Sequence, residues 1–177
     1  TDQQRGNILA ALPNKPTMDD IRQAVAAAIT PTIDPRDALM DARDKALAPY
    51  RRPAGDRLDV ARGSVSLFET KIGGELLDAL AAAKTLPAKQ KAAEAWVLKQ
   101  GRATGLEHLV VLAKDGTPLS IDKGRVNAVS PTSAVWRAGN HGEAWVSIHN
   151  HPSSNGLSGG DLTMASIWPG HTMVVLG

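Results

Sequence analysis

The chain has 177 residues, 42% hydrophobic and 21% charged, a composition typical of a globular protein that buries a core. Collagen, coiled coil and wholesale disorder are therefore excluded. The 20 basic and 18 acidic side chains give a formal net charge of +2, so a nucleic-acid partner is not expected from charge alone. The longest apolar run, within Leu76–Ala83, is far shorter than the roughly 20 residues that span a bilayer. We therefore expect a soluble protein with no membrane partner, either cytoplasmic or exported within a larger polypeptide.

The chain contains no cysteine, which removes disulfides, thiolate metal sites and cysteine nucleophiles. Any metal would have to be held by histidine, aspartate or glutamate. All five histidines lie after residue 105, so the candidate chemistry is concentrated in the second half of the chain.

Residues 1–104 show apolar positions at helical spacing and no catalytic pattern. Four helices are predicted there, from the Thr17 cap to Ile29, from Asp34 to Leu47, from Ser64 to Ala83, and from Pro87 to Gln100. Gly101 is expected to close the last helix in a left-handed conformation. We expect this helical region to position the rest of the chain or to bind a protein partner.

Residues 105–177 change to alternating apolar and polar positions interrupted by short helical segments. The predicted elements are a strand Leu106–Ala113, its antiparallel return Thr117–Ile121, a helix Pro131–Ala138, a strand Glu143–Ile148, a helix Ser158–Ile167 and a strand His171–Leu176. This pattern predicts an α+β fold class, with a domain boundary between residues 104 and 105. Because the chain stops on a predicted strand, we expect the domain to continue past Gly177.

A His-Asn-His-Pro segment at the end of the fourth of these elements carries the most specific pattern in the chain. Residues two apart on a strand point to the same side, so His149 and His151 present their imidazoles to one point. Asp161 follows in the first turn of the next predicted helix and can reach the same point. Two histidines and one carboxylate leave a position open for water, which is the composition of a catalytic zinc site. Zn²⁺ is therefore the expected cofactor.

Each half of this pattern also has a purely structural interpretation. Ser158 and Asp161 have the spacing of a capping box, and a His-x-His pair occurs by chance at exposed strand ends. A short connecting loop brings the two halves together, and this combination favours the metal site over either structural interpretation.

These residues resemble the JAB/MPN (JAMM) zinc metallohydrolases, whose motif is His-x-His-Pro, a loop and Ser-x-x-Asp, with a glutamate on an earlier strand. His149–Pro152 is similar to the HNHP form of prokaryotic members such as RadC-like proteins and phage- or toxin-associated JAB domains. The loop 153–157 has five residues where the usual motif has six. The resemblance covers residues 105–177 and implies a JAB/MPN-like, cytidine-deaminase-like layered sheet flanked by helices.

The resemblance also implies a glutamate that takes a proton from the attacking water and returns it to the leaving amine. Glu143 lies six residues before His149 on one predicted strand, roughly 20 Å away at the usual rise, and is too distant. Glu107 begins a separate strand that can lie beside the histidine strand, and it is our candidate. Ser158 is expected to stabilise the oxyanion as well as to cap its helix.

The remaining histidines, His108, His141 and His171, are expected to be structural, and Trp136, Trp145 and Trp168 are expected to lie in the core. The sequence thus predicts a zinc metallopeptidase or isopeptidase that acts on a peptide or protein substrate. Two alternatives stay open: a non-catalytic MPN-type scaffold, and a RadC-like protein that associates with DNA through the more basic first half. Retention of every metal ligand argues against the first alternative.

Overall fold

The computed structural model of the chain describes residues 6, 9–10, 13, 16–29, 34–51, 64–153 and 156–177. The chain divides into two units, residues 1–34 and 35–177. In the first unit, Met18–Ile29 forms helix α1. The Thr17 hydroxyl accepts a hydrogen bond from the Asp20 N–H at 3.2 Å, and the Asp20 carboxylate accepts one from the Thr17 N–H at 2.8 Å. The predicted capping arrangement is confirmed.

The second unit contains a five-stranded sheet with helices on both faces, which confirms the predicted α+β class. Its elements in chain order are α2 (Pro35–Leu47), β1 (Val65–Ser66), α3 (Lys71–Ala82), α4 (Leu86–Thr104), β2 (His108–Ala113), β3 (Pro118–Lys123), α5 (Ser133–Asn140), β4 (Ala144–Asn150), α6 (Gly159–Ile167) and β5 (Thr172–Leu176). The strand order is β1-β3-β2-β4-β5, and only the β4–β5 pair is parallel.

Alternate residues of the central strand β2 pack into two separate hydrophobic cores, because successive side chains of a strand point to opposite faces of the sheet. Val110 and Leu112 pack on one face with α3 and α4. Leu109 and Val111 pack on the other face with side chains of α2, α5 and α6. The sheet is therefore buried on both sides, which explains the nearly continuous burial of β2 and β4.

One of these cores joins residues from both halves of the sequence. Leu76, Leu80 and Val97 of the helices α3 and α4 belong to the same buried cluster as Val110 and Ile148 of the sheet. The compact unit that holds the sheet therefore begins at Pro35. The hydrophobic period changes near residue 105 because helices give way to strands there. The residues before and after this point pack in the same core.

Two of the four helices predicted in the first half have different bounds in the structure. The segment predicted as a helix from Ser64 begins with Val65–Ser66, which pairs with β3, and the helix starts only after the Thr70 cap. The last helix continues past Gln100 to Thr104, and Gly105, with φ of 66°, is its left-handed C-cap. The prediction that Gly101 caps this helix was wrong, because Gly101 lies inside it.

Helix α5 begins two residues later than predicted. The Thr132 side chain caps it by accepting a hydrogen bond from the Val135 N–H at 3.4 Å, and Pro131 precedes the cap. None of the described helices has the length and apolar character needed to cross a membrane.

A buried aspartate on β3 is harder to ionise in the folded protein than in the unfolded chain. Asp122 is 2% exposed, and burial raises its pKa to about 6, although the Ser120 hydroxyl and the charge of Arg43 oppose this rise. The unfolded chain ionises this group near pH 3.8. The folded protein therefore binds the proton more tightly, and its stability decreases as the pH rises from about 4 to about 6.

We predict that Asp122→Asn removes this pH dependence. The shift of roughly two pKa units corresponds to about 3 kcal/mol, so the stability of the variant relative to wild type should improve by about that amount between pH 4 and pH 7. Urea unfolding at both pH values measures the difference. Asp115→Asn, the same carboxylate-to-amide change at an exposed turn position, is the matched control. An equal effect of Asp122→Asn at pH 4 and pH 7 would contradict the prediction.

Candidate metal centre

Two imidazoles meet at the C-terminal end of β4. His149 and His151 are two residues apart, and their Nε2 atoms are 3.0 Å apart. The side chains are nearly inaccessible, with residue exposures of 2% for His149 and 7% for His151. The alternation of a strand thus places both rings on the same face, as the sequence predicts.

The third side chain of the cluster comes from the first turn of α6. Asp161 Oδ1 lies 3.0 Å from His149 Nε2, and Asp161 Oδ2 lies 3.4 Å from His151 Nε2. The carboxylate is held there by a capping box, in which Asp161 Oδ2 accepts a hydrogen bond from the Ser158 N–H at 2.6 Å and the Ser158 hydroxyl accepts one from the Asp161 N–H at 3.2 Å. Ser158 and Asp161 therefore do form a capping box, and this box also orients the Asp161 carboxylate toward the two imidazoles.

The donor atoms of these three residues fit a metal ion. One ligand atom from each of His149, His151 and Asp161 lies within 4.8 Å of the other two, and no other such group occurs among the residues that the structure describes. His151 Nδ1 lies 3.0 Å from the Gly156 carbonyl oxygen, which can only accept, so Nδ1 carries the proton and Nε2 presents its lone pair. The group could thus hold a metal through two nitrogens and a carboxylate oxygen.

The surroundings of His149 and Asp161 favour the protonation states that a metal requires. Burial lowers the pKa of His149, which favours the neutral imidazole. Burial alone would raise the pKa of Asp161, but hydrogen bonds from Ser158 and the two neighbouring imidazoles outweigh it and hold this pKa below its usual value. Neutral histidine and ionised aspartate are the forms that coordinate a cation.

Glu107 lies on the wall of the same cleft, immediately before β2. Its side chain is 6% exposed, and its backbone is bonded to the segment after β3, through Glu107 N–H to the Arg125 carbonyl and Gly124 N–H to the Glu107 carbonyl, both at 2.8 Å. Burial raises the pKa of Glu107, and the nearby charges of His151 and Asp161 act on it in opposite directions. The carboxylate therefore lies within electrostatic reach of His151 and Asp161.

The five candidate residues line one cleft of about 1060 Å³. They are Glu107, His149, His151, Ser158 and Asp161. Residues 154 and 155 of the loop 153–157 lie outside the described part of the chain.

Glu143, the rejected alternative, stands at the opposite end of β4 from the histidines and accepts a hydrogen bond from the Tyr50 hydroxyl at 3.1 Å. His108 packs edge-to-face against Trp96, and His141 stacks on Tyr50. His171 packs against Trp168 and lies 3.1 Å from its carbonyl oxygen. These three histidines lie outside the metal cluster.

The sequence prediction missed part of the cleft wall. Trp168 is 2% exposed, as expected of a core residue, but Trp136 is half-buried and lines the cleft beside Arg137. Val129 and Met164 add further apolar surface to the same wall. The sequence does not distinguish a tryptophan that packs only in the core from one that also faces a cleft, because both occur among apolar residues of short helical segments.

No model of a protein family, no curated protein and no solved structure matches this chain.

Proposed function

We propose that this chain is a zinc-dependent hydrolase that cleaves an amide, peptide or isopeptide bond with a metal-activated water, in the manner of the JAB/MPN metallohydrolases that its motif resembles. One observation carries the proposal: His149, His151 and Asp161 converge on a cleft whose wall also contains Glu107 and Ser158. If the capping box and the histidine pair were only structural, they would not require the buried carboxylate of Glu107 on a separate segment of the chain beside them.

Zn²⁺ fits the donor set because two imidazoles and one carboxylate are its usual ligands in catalytic sites with an open position. Bound there, zinc would act as a Lewis acid and lower the pKa of a coordinated water toward about 7. Each remaining step falls to a side chain of the cleft.

Glu107 is assigned the proton transfers. Its carboxylate takes a proton as water attacks the carbonyl carbon, and it returns that proton to the amine nitrogen as the C–N bond breaks. The products are a carboxylic acid and an amine. Burial raises the pKa of Glu107, which supports this role because a more basic carboxylate is a better proton acceptor.

Ser158 is assigned the developing oxyanion. Its oxygen accepts the Asp161 N–H, so the hydroxyl remains a donor that can turn toward the cleft. A donor in this position stabilises the negative charge that the carbonyl oxygen acquires in the tetrahedral intermediate.

The cleft favours a peptide over a small polar substrate. Its volume of about 1060 Å³ is at the upper end of the range for small-molecule sites, and Val129, Trp136 and Met164 give it an apolar wall. We therefore propose a peptide or protein substrate with an apolar side chain near the scissile bond.

The test is hydrolysis by the full chain loaded with zinc. Mixtures of unmodified peptides and a lysine-linked isopeptide are incubated with the protein, and products are identified by mass spectrometry. We expect cleavage that a chelator abolishes and added zinc restores. A protein that binds one zinc per chain but cleaves neither class would overturn the proposal and favour a non-catalytic scaffold.

A further inference from the structure

Asn150 lies between the two histidines of the metal cluster, and its side chain points away from them. Strand alternation places it on the opposite face, where it is 4% exposed. Its Oδ1 accepts a hydrogen bond from the His108 N–H at 2.8 Å, and its Nδ2 donates one to the Leu106 carbonyl at 3.1 Å. The orientation of the amide is unambiguous, because a backbone N–H can only donate and a carbonyl can only accept.

The two backbone groups that Asn150 binds flank Glu107. The backbone pairing of β4 with β2 ends just before this point, at the pair Leu109 and His149. The next backbone donor, the His151 N–H, bonds instead to the Leu176 carbonyl of β5 at 2.8 Å. The Asn150 side chain takes the place of a backbone pair here, because its amide makes two hydrogen bonds to the segment at the start of β2. The backbone of Glu107 itself is bonded on the other side, to residues 124 and 125. The segment that carries Glu107 is thus held from both edges.

A close contact with α4 keeps the Asn150 amide in place. A Cβ atom added at Gly101 would lie 2.4 Å from Asn150 Nδ2 and 2.6 Å from its Cγ. Any larger residue at position 101 would force the amide to move. This contact explains a glycine inside a helix, where it normally costs stability relative to alanine.

We propose that Asn150 is the positioning residue for Glu107, and that Gly101 is required because it leaves room for the Asn150 amide. This inference rests on the proposed hydrolase function. One residue of the His-Asn-His segment thereby couples the strand that carries two metal ligands to the segment that carries the proton-transfer group. Loss of the amide should displace Glu107 while the metal ligands remain in place.

The first test needs no substrate. In Asn150→Ala, amide hydrogen exchange at His108 should accelerate about 10-fold or more, because its hydrogen-bond acceptor is gone, while exchange at Val110 in the middle of β2 stays unchanged. Asn140→Ala, at an exposed helix end, is the matched control. Unchanged exchange at His108 in Asn150→Ala would overturn the inference.

The second test reads the metal environment with Co²⁺ as the probe. We expect Asn150→Ala to bind the ion with nearly the affinity of wild type, but to shift its visible absorption in the same direction as Glu107→Gln. Gly101→Ala, which keeps the Asn150 amide but displaces it, should cause the same shift, and it provides a second route if Asn150→Ala folds poorly. A wild-type spectrum in both variants would contradict a positioning role.

The third test uses the peptide identified for the wild type. In Asn150→Ala we expect kcat to fall about 10- to 100-fold with little change in KM, since a displaced proton-transfer group affects the chemical step more than binding. Wild-type kcat in this variant would refute the inference and leave the hydrolase proposal intact. A zinc-loaded wild type that cleaves nothing would instead refute the hydrolase proposal, and the exchange and Co²⁺ measurements would still decide whether Asn150 holds the Glu107 segment.

Discussion

Glu107→Gln is expected to abolish hydrolysis while preserving the fold and the bound zinc. Glutamine has nearly the shape of glutamate and keeps a side-chain oxygen that can accept hydrogen bonds, so the surrounding packing should be preserved. It cannot take up the proton, so we expect kcat to fall by about 100-fold or more. Because burial opposes ionisation of Glu107, the neutral amide should not destabilise the protein at neutral pH.

The measurement is kcat on the wild-type peptide, accompanied by zinc content and a thermal melt. Glu143→Gln is the matched control, since the Glu143 side chain lies at the far end of β4, where it accepts a hydrogen bond from the Tyr50 hydroxyl. We expect this control to retain wild-type kcat. An inactive Glu143→Gln beside an active Glu107→Gln would show that the proton-transfer group has been assigned to the wrong strand.

The part of the candidate site that the sequence predicts best depends on local geometry. The histidines share a face because a strand alternates every two residues, and Asp161 lies near a helix N-terminus because Ser158 is a strong capping residue. Both relations act over a few residues, and both appear in the structure. The pairing of β2 with β4, which brings Glu107 to the same cleft, is a contact over some 40 residues, so the sequence indicated only that these strands can be neighbours, and the resemblance supported this.

Two errors in the predicted fold, the glycine that ends α4 and the short strand β1, have a tertiary cause. Gly101 and Gly105 are equivalent as helix terminators in the sequence, but only Gly105 adopts a positive φ, whereas Gly101 makes room for Asn150. Likewise, Val65–Ser66 becomes a strand because an edge of β3 is available to it. Neither partner can be identified from a local window.

The predicted boundary near residue 105 lies within the compact unit of residues 35–177. Side chains of α3 and α4 pack on the sheet, on the other side of the predicted boundary. A layered fold necessarily changes its hydrophobic period where a helix gives way to a strand. Such a change therefore marks a boundary between elements and is not sufficient to mark one between domains.

The double variant His149→Ala, His151→Ala is expected to lose zinc binding altogether. It removes both nitrogen ligands and leaves Asp161 alone, so the affinity should fall by more than the roughly 10- to 100-fold that changes around a metal's ligands cost. Zinc should raise the melting temperature of the wild type, because it binds the folded chain in preference to the unfolded one, and it should leave the melting temperature of the double variant unchanged. Elemental analysis and melts with zinc or chelator measure both effects.

The control for this experiment is His141→Ala, which removes an exposed histidine that stacks on Tyr50 outside the cluster. It should bind one zinc per chain and show the wild-type shift in melting temperature. Zinc retained at wild-type stoichiometry by the double variant would mean that the ion is held elsewhere. The contact of His149 Nε2 with Asp161 Oδ1 at 3.0 Å would then be a buried hydrogen bond that holds α6 to the end of β4, and the cleft would lack the metal that the proposed mechanism requires.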